Sequence, residues 1–262
     1  MPLLIEKKDG IGHITLSRPA ARNAWGDDYN EGFVRTFSEW EDDDDVRCVI
    51  VTGDEKGQAF SAGADLKNKR THATGEAAAF IKKVAKAKHF AGNVVADFPK
   101  PIIAAVNGYA IGIGCIVTYC CDLIVASERA EWRLPQVKLG ILPASGGAVR
   151  LARWIGKGQA TKVAFGFPVS AQEAYRIGLA QWLVPHDEIA AKAWEVARHI
   201  ADLPPLAARM VKESINRGLD IPNIRDAAQA DLYRFYTLEL TEDKAEGHDA
   251  WRQRRTPRFK GK

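Results

Sequence analysis

Two short segments combine small residues in a way that side-chain packing alone does not demand. They are Ala59-Phe60-Ser61-Ala62-Gly63-Ala64-Asp65-Leu66-Lys67 and Asn107-Gly108-Tyr109-Ala110-Ile111-Gly112-Ile113-Gly114-Cys115. Each reads as a tight turn at the end of a strand, where backbone NH groups lie open to a ligand, and the second opens a helix whose first turn carries partial positive charge. Facing one another, the two turns would form an oxyanion hole. Two NH groups aimed at one carbonyl oxygen hold the negative charge that develops there, and losing one such donor removes about 3 to 4 kcal/mol. Gly-Ala runs also serve close backbone packing, so neither turn by itself specifies a ligand. Gly-Ile-Gly at 112–114 is no dinucleotide fingerprint, because Cys115 to Val117 supplies no third glycine. Cys48, Cys115, Cys120 and Cys121 lie in apolar runs without metal-ligand spacing and read as buried reduced thiols, so no metal site is expected.

The elements that must position these turns alternate. Leu3 to Pro19 reads as two strands turned at Asp9-Gly10. Tyr29, Phe33, Phe37 and Trp40 recur at helical spacing and mark an amphipathic helix with an aromatic core stripe. Val46 to Thr52 and Pro101 to Val106 are β-branched or apolar runs of buried-strand length, and residues 76–96 carry one long helical pattern. After a short helix near 113–121 and a strand at Leu123 to Ala126 come helical patterns at Ser145 to Ile155, Lys157 to Phe165 and Ala171 to Ile177. From residue 186 onward the pattern is nearly all helical. An α/β core with mostly parallel strands follows, in residues 1–200, with residues 201–262 as a helical C-terminal oligomerisation region. No fixed-period repeat is visible.

The chain has 262 residues, 46% of them hydrophobic and 27% charged, which excludes a disordered or fibrous protein and is enough for a core without staples. The net charge is +4, with six basic residues in the last eleven, a tail that reads as a solvated terminus able to meet an anion. The acidic run Glu41 to Asp45 likewise reads as a solvated loop. Beyond Trp251 and Phe259 no aromatic residue interleaves the basic tail, so nucleic acid is not an expected partner. Charges at residues 6 to 9 interrupt any secretory h-region and no apolar stretch reaches membrane-span length, so a cytoplasmic protein without membrane partners is expected.

Several motifs, in this order and spacing, resemble the crotonase (enoyl-CoA hydratase/isomerase) superfamily along essentially the whole chain. They are Pro19-Ala20-Ala21-Arg22-Asn23-Ala24, Phe60 to Leu66, Lys100-Pro101 through Gly114, Asp122, Leu139 to Pro143, Ser145-Gly146-Gly147 and Thr241 to Gly247. The resemblance implies a spiral of ββα units and a helical C-terminal trimerisation region, usually in a dimer of trimers. It also implies an acyl-CoA thioester as partner, with coenzyme A as part of the substrate and no further cofactor. By position, the backbone NH groups of Ala64 and Ile113 would form the oxyanion hole. Arg22 falls where a cation meets the CoA phosphates, Ala62 and Lys67 near the adenine and pantetheine path, and Ala24, Asp65 and Leu66 beside them.

The family's carboxylates are missing. The two positions that hold glutamates in hydratases carry Ile116 and Gln136, and the acidic position of the isomerase turn carries Ala144. None of the three exchanges a proton near pH 7, so ordinary syn hydration lacks both its acid and its base. What remains is polar. His89 stands where a dehalogenase branch places a catalytic histidine, and Gln136 could orient water or a substrate oxygen. Tyr119 and Ser145 are candidate hydrogen-bond donors, while Trp132 and Trp25 are candidate surfaces for a ring-shaped acyl group. Ile116 would extend the acyl surface. Glu131 is the nearest acid to Gln136 in sequence, on the opposite face if the strand runs on regularly.

Two functions follow. One is an acyl-CoA lyase, isomerase or hydrolase that keeps the oxyanion hole but acts on an unusual acyl-CoA, cyclic or aromatic for example. The alternative is an acyl-CoA-binding protein that has lost catalysis. In both, CoA thioester affinity should fall as salt rises, because phosphate contacts from Arg and Lys are screened. Calorimetric titration should show this, and Arg22→Ala should weaken binding at low salt with an unchanged circular dichroism spectrum.

Overall fold

The computed structural model describes residues 3–65, 77–86 and 89–262. The first strands, β1 (Leu3–Lys8) and β2 (Ile11–Leu16), form the expected antiparallel hairpin. Asp9 and Gly10 both have positive φ, 53° and 78°, the left-handed pair that a two-residue hairpin turn requires. Helix α1 (Asp27–Glu41) follows and buries Tyr29, Phe33, Phe37 and Trp40, as their spacing predicts. β3 (Cys48–Gly53), β5 (Ile102–Val106), β7 (Leu123–Ser127) and β10 (Trp182–Val184) then extend the sheet in the order β1-β2-β3-β5-β7-β10. All pairings after the first are parallel.

A second sheet is built from strands too short for a periodic signal: β4 (Ala59–Ser61), β6 (Tyr109–Ile111), β8 (Glu131–Arg133) and β9 (Val169–Ser170). Its first three strands run parallel and β9 closes it antiparallel. The chain passes from β3 to β4, from β5 to β6 and from β7 to β8, so each winding contributes one neighbouring strand to each sheet. That is a spiral without a fixed period: the windings begin at Cys48, Ile102 and Leu123 because the connections differ in length.

The large sheet is covered on both faces, which is why its strands read as unbroken apolar runs. Val49, Val51, Ile102, Ala104 and Ile124 face the main core with α1, while Cys48, Ile50, Ile103, Ala105 and Val125 face α8 (Ile189–Ala201) through Ile189, Ala193, Val196 and Ala197. All four cysteines are buried and free.

The single helix expected over residues 76–96 is two, α2 (Ala77–Lys86) and α3 (Ala91–Asp97), because Phe90 is extended at ψ 137° and restarts the chain. α4 (Ile113–Thr118), α5 (Gly147–Ile155), α6 (Lys157–Ala164) and α7 (Ala171–Arg176) follow the sequence reading, and α9 (Pro205–Gly218), α10 (Ile224–Glu239) and α11 (Glu242–Gln253) complete the helical end. No helix among the described residues is long and apolar enough to cross a membrane.

Two segments read as solvated are instead tied down. In the acidic run, Asp43 pairs with Lys7 at 2.7 Å, and the buried Lys100 ammonium donates to the carbonyls of Trp40 and Asp43 at 2.6 and 2.7 Å. The basic tail is fastened by the Thr241–Gly247 motif. Asp243 accepts from the NH groups of Lys260 and Gly261, both at 2.7 Å, and Glu246 takes Arg255 in a two-point bond at 2.6 and 2.8 Å. Arg47 reaches across to the Phe259 carbonyl at 2.9 Å.

The Arg255 side chain and the Arg258 NH hold the Glu246 carboxyl down at about 2. A depressed carboxylate contributes stability that is complete above its ordinary value of 4.5 and is lost as pH falls toward 2. Glu246→Gln should therefore lower the urea midpoint at pH 7, and the gap to wild type should close progressively from pH 4.5 to 3.

Candidate functional site

The segment before α1 is laid alongside the first small-residue turn. The Ala62 NH donates to the Arg22 carbonyl at 3.0 Å, the Trp25 NH to Gly63 at 2.7 Å and the Asp65 NH to the Trp25 carbonyl at 2.9 Å. Trp25 thus uses both its backbone groups on the residues flanking Ala64, in a parallel bridge that turns the Ala64 NH to the other side. That NH donates to no described residue. The strip is held from behind by Asn23, a residue to which sequence reasoning assigned no role. Fully buried, it donates to the carbonyls of Asp54 and Ala59 at 3.0 and 2.7 Å and accepts from the Arg18 NH at 3.0 Å. Arg22 and Asn23 are both left-handed, at φ 51° and 54°, and this kink leaves the Arg22 side chain exposed.

The two turns meet at their glycines. Gly63 has φ +88°, and a Cβ there would stand 2.7 Å from the Ile111 carbonyl oxygen; a Cβ on Gly112, at φ +57°, would stand 3.9 Å from Gly63 Cα. Gly114 packs equally tightly on β4, where a Cβ would lie 2.7 Å from Ser61 Cβ. Ile113, first residue of α4, also offers an NH that donates to no described residue. Its side chain packs half-buried against the main core.

Gln136 lies on the same spot. It sits in the 3-10 turn Pro135–Leu139 after β8, and its Nε2 is 3.6 Å from where a Cβ on Gly112 would be. Its Oε1 is buried and has no hydrogen-bond partner. Ser145, with φ 55°, is half-buried, and its Cβ is 3.7 Å from the Cβ position of Gly92 on α3.

The remaining candidates divide. Ala24 is buried, with its carbonyl accepting from Arg18 Nη1 at 3.0 Å, and Ala62 and Asp65 are half-buried on the paired strip. Leu66 and Lys67 lie outside the described residues. Ile116 does not extend an acyl surface: it is 2% exposed and fills the space between Gly92 and Gly147, with Cδ1 2.9 Å from a Cβ placed on Gly147. Trp132 is no ring platform either. It is 0% exposed and donates from Nε1 to Thr118 Oγ1 at 3.1 Å, because alternation along β8 turns it into the core. Trp25 is buried against Tyr29 and Phe33, and the Tyr119 hydroxyl is spent on the Gly147 carbonyl at 2.8 Å. His89 is exposed between α2 and α3 and hydrogen-bonds no described residue. Glu131 pairs with Arg133, whose guanidinium lies 5.7 Å from the Tyr109 ring centre.

An open cavity of about 500 Å³ lies elsewhere, lined by Lys7, Lys8, Asp9, Gly10, Asp44, Asp45, Arg47, Ala201 and Asp202. It contains neither turn. Among the described residues no cluster of three or more His, Cys, Asp or Glu is placed to hold a metal.

The family model for enoyl-CoA hydratase/isomerase matches residues 6–262. The chain belongs to the enoyl-CoA hydratase/isomerase family. It is 35% identical over 261 residues to the 2,3-dehydroadipyl-CoA hydratase of Escherichia coli, covering 99% of each chain. To the mitochondrial enoyl-CoA hydratase of Pongo abelii it is 33% identical over 255 residues, covering 97% of this chain and 85% of the relative. The solved enoyl-CoA hydratase of Bacillus anthracis has a TM-score of 0.91 at 31% identity, over 100% of both chains. The α/β spiral with helical C-terminus is thus the fold of this family, and the chain is a hydratase/isomerase-type enzyme by membership.

Gly63 is the residue on which the meeting of the turns depends. Gly63→Ala adds a methyl where a carbonyl oxygen stands 2.7 Å away and a left-handed φ that alanine adopts at a penalty. It should lower stability by about 1 to 3 kcal/mol in urea titration and weaken any thioester binding beyond that loss.

Proposed function

We propose that the protein binds an acyl-CoA thioester with its carbonyl oxygen between the NH groups of Ala64 and Ile113 and promotes a reaction that passes through the thioester enolate. The observation that carries this is the contact of Gly63 with the Ile111–Gly112 turn, which puts two NH groups without described partners on adjoining turns. Proton removal or addition beside a thioester carbonyl moves negative charge onto that oxygen, and preorganised donors stabilise it without reorganising. Arg22, exposed on the strip paired to Ala62, supplies a cation for the CoA phosphates.

The usual acid and base are replaced by Ile116 and Gln136, so the substrate is an acyl-CoA outside the ordinary enoyl set. Ile116 is packing, and Gln136 is an uncharged amide that orients a group without exchanging a proton. Coenzyme A enters as part of the substrate. Self-association, as a trimer or a dimer of trimers, is supported by the apolar residues that α9 and α10 leave exposed, among them Val211, Ile215, Leu232 and Phe235.

The test separates an enzyme from a passive acyl-CoA binder at one backbone atom. Ile113→Ala keeps the NH and should retain turnover of a productive acyl-CoA. Ile113→Pro removes the NH at a first helical position, where proline is accepted, and should reduce turnover by about 10² to 10³. Circular dichroism and oligomer size control for folding. Equal activity in both variants would show that this NH holds no developing charge.

A further inference from the structure

We propose that Arg47, Lys100, Arg209 and Lys260 form a site for a small tetrahedral oxyanion of the phosphate class, held between α9 and the C-terminal strap. The four line one cavity of about 40 Å³, and Asp44 is the only acid among the described lining residues. That volume exceeds the roughly 10 to 15 Å³ that one water needs and falls far short of what a nucleotide or an acyl chain needs, so it suits a group of a few heavy atoms. Neither small-residue turn contributes to it. Four cations around one carboxylate repel one another unless an anion joins them. Burial, and after it the Arg209 guanidinium, hold the Lys100 ammonium below its ordinary value against the pull of Asp43, Asp44 and Asp42.

The fold gathers these charges and leaves two of them uncommitted. Lys100, just before β5, is 6% exposed and gives two of its three N–H donors to the carbonyls of Trp40 and Asp43, which leaves one. Arg47, just before β3, is fixed in place by donating from Nη1 to the Ala201 carbonyl and from Nη2 to the Phe259 carbonyl, both at 2.9 Å. Arg209 is half-buried and lies three residues before the buried Lys212, on the face of α9 turned toward its own chain, whereas Val211 and Ile215 occupy the exposed face. No carboxylate among the described residues is paired with Arg209 or with Lys260, whose backbone NH is pinned by Asp243 at 2.7 Å. A tetrahedral oxyanion presents acceptors in several directions at once, which matches a guanidinium fork and two ammonium groups arriving from different elements. Bound there, the anion ties α9 and the starts of β3 and β5 to the strap and so stabilises the docked C-terminal end.

The experiment is thermal unfolding of the full chain in its native assembly, in millimolar inorganic phosphate and in sodium chloride of equal ionic strength. Wild type should melt about 2 to 5 °C higher in phosphate once the site is nearly filled. Arg209→Met should lose that gain and, in chloride, should melt no lower than wild type, because it removes a cation that repels Lys100. Lys260→Met, which keeps the backbone bond to Asp243, should lose most of the gain and carries the test if Arg209→Met fails to fold. Coenzyme A, whose phosphates belong to a larger molecule, should shift wild type and Arg209→Met equally. Equal melting of wild type in the two salts, or a phosphate gain that survives in the folded variants, would overturn the proposal. So would a coenzyme A shift lost in Arg209→Met with no response of wild type to phosphate, since these cations would then serve the thioester path.

Discussion

The site depends on two glycines that touch without side chains. β4 and β6 are hydrogen-bonded neighbours, and the turns that leave them converge because Gly63 places no Cβ against the Ile111 carbonyl and Gly112 places none against Gly63. A methyl at Gly63 would have to occupy space already filled by backbone, which cannot move aside as a side chain can. With the backbones in contact, the next residue along each turn, Ala64 and Ile113, presents its NH from an adjoining position. Both NH groups are thereby held in place by the sheet itself.

Much of what marks the family is the frame that holds this contact. Asn23 anchors the Arg22 strip to the carbonyls of Asp54 and Ala59, and Lys100 anchors the loop after α1. Asp122 and Lys212 form a buried ion pair at 2.7 Å that also takes the Ile102 NH and the Lys100 carbonyl, so both charges have further hydrogen-bond partners. Burial pushes the Asp122 carboxyl up against the pull of Lys212. Such a pair is worth little compared with a good apolar replacement, but removing one partner leaves a buried charge. Asp243 and Glu246 perform the corresponding task for the C-terminal strap.

Ile116 is accommodated entirely by packing. Its side chain lies between two glycine positions on different helices, Gly92 on α3 and Gly147 on α5, with Pro143 also against Gly147. At 2% exposure it is part of the core and presents no group to a ligand. Gln136 has the opposite character, with its amide oxygen removed from solvent and without a partner. One of the two side chains is absorbed into packing, and the other remains polar.

Periodicity and turn chemistry alone determined the hairpin at Asp9-Gly10, the aromatic face of α1, the buried strands β3, β5 and β7 and the helical end, because each is a local pattern whose burial follows from its own spacing. The two small-residue turns were visible for the same reason, and motif order pointed to the family. Tertiary structure decided what local pattern does not encode. Strands of two or three residues form the second sheet because neighbouring windings supply partners, and Phe90 breaks a helix that is continuous in pattern. Trp132 and Ile116 are core because of the elements packed over them. Asp243, Glu246 and Asn23 matter through partners as many as 36 residues away, Ala59 in the case of Asn23, so their roles exist only once the chain has folded. The same holds for Gln136, whose unpaired oxygen is a property of its surroundings and is absent from any reading of its residue type.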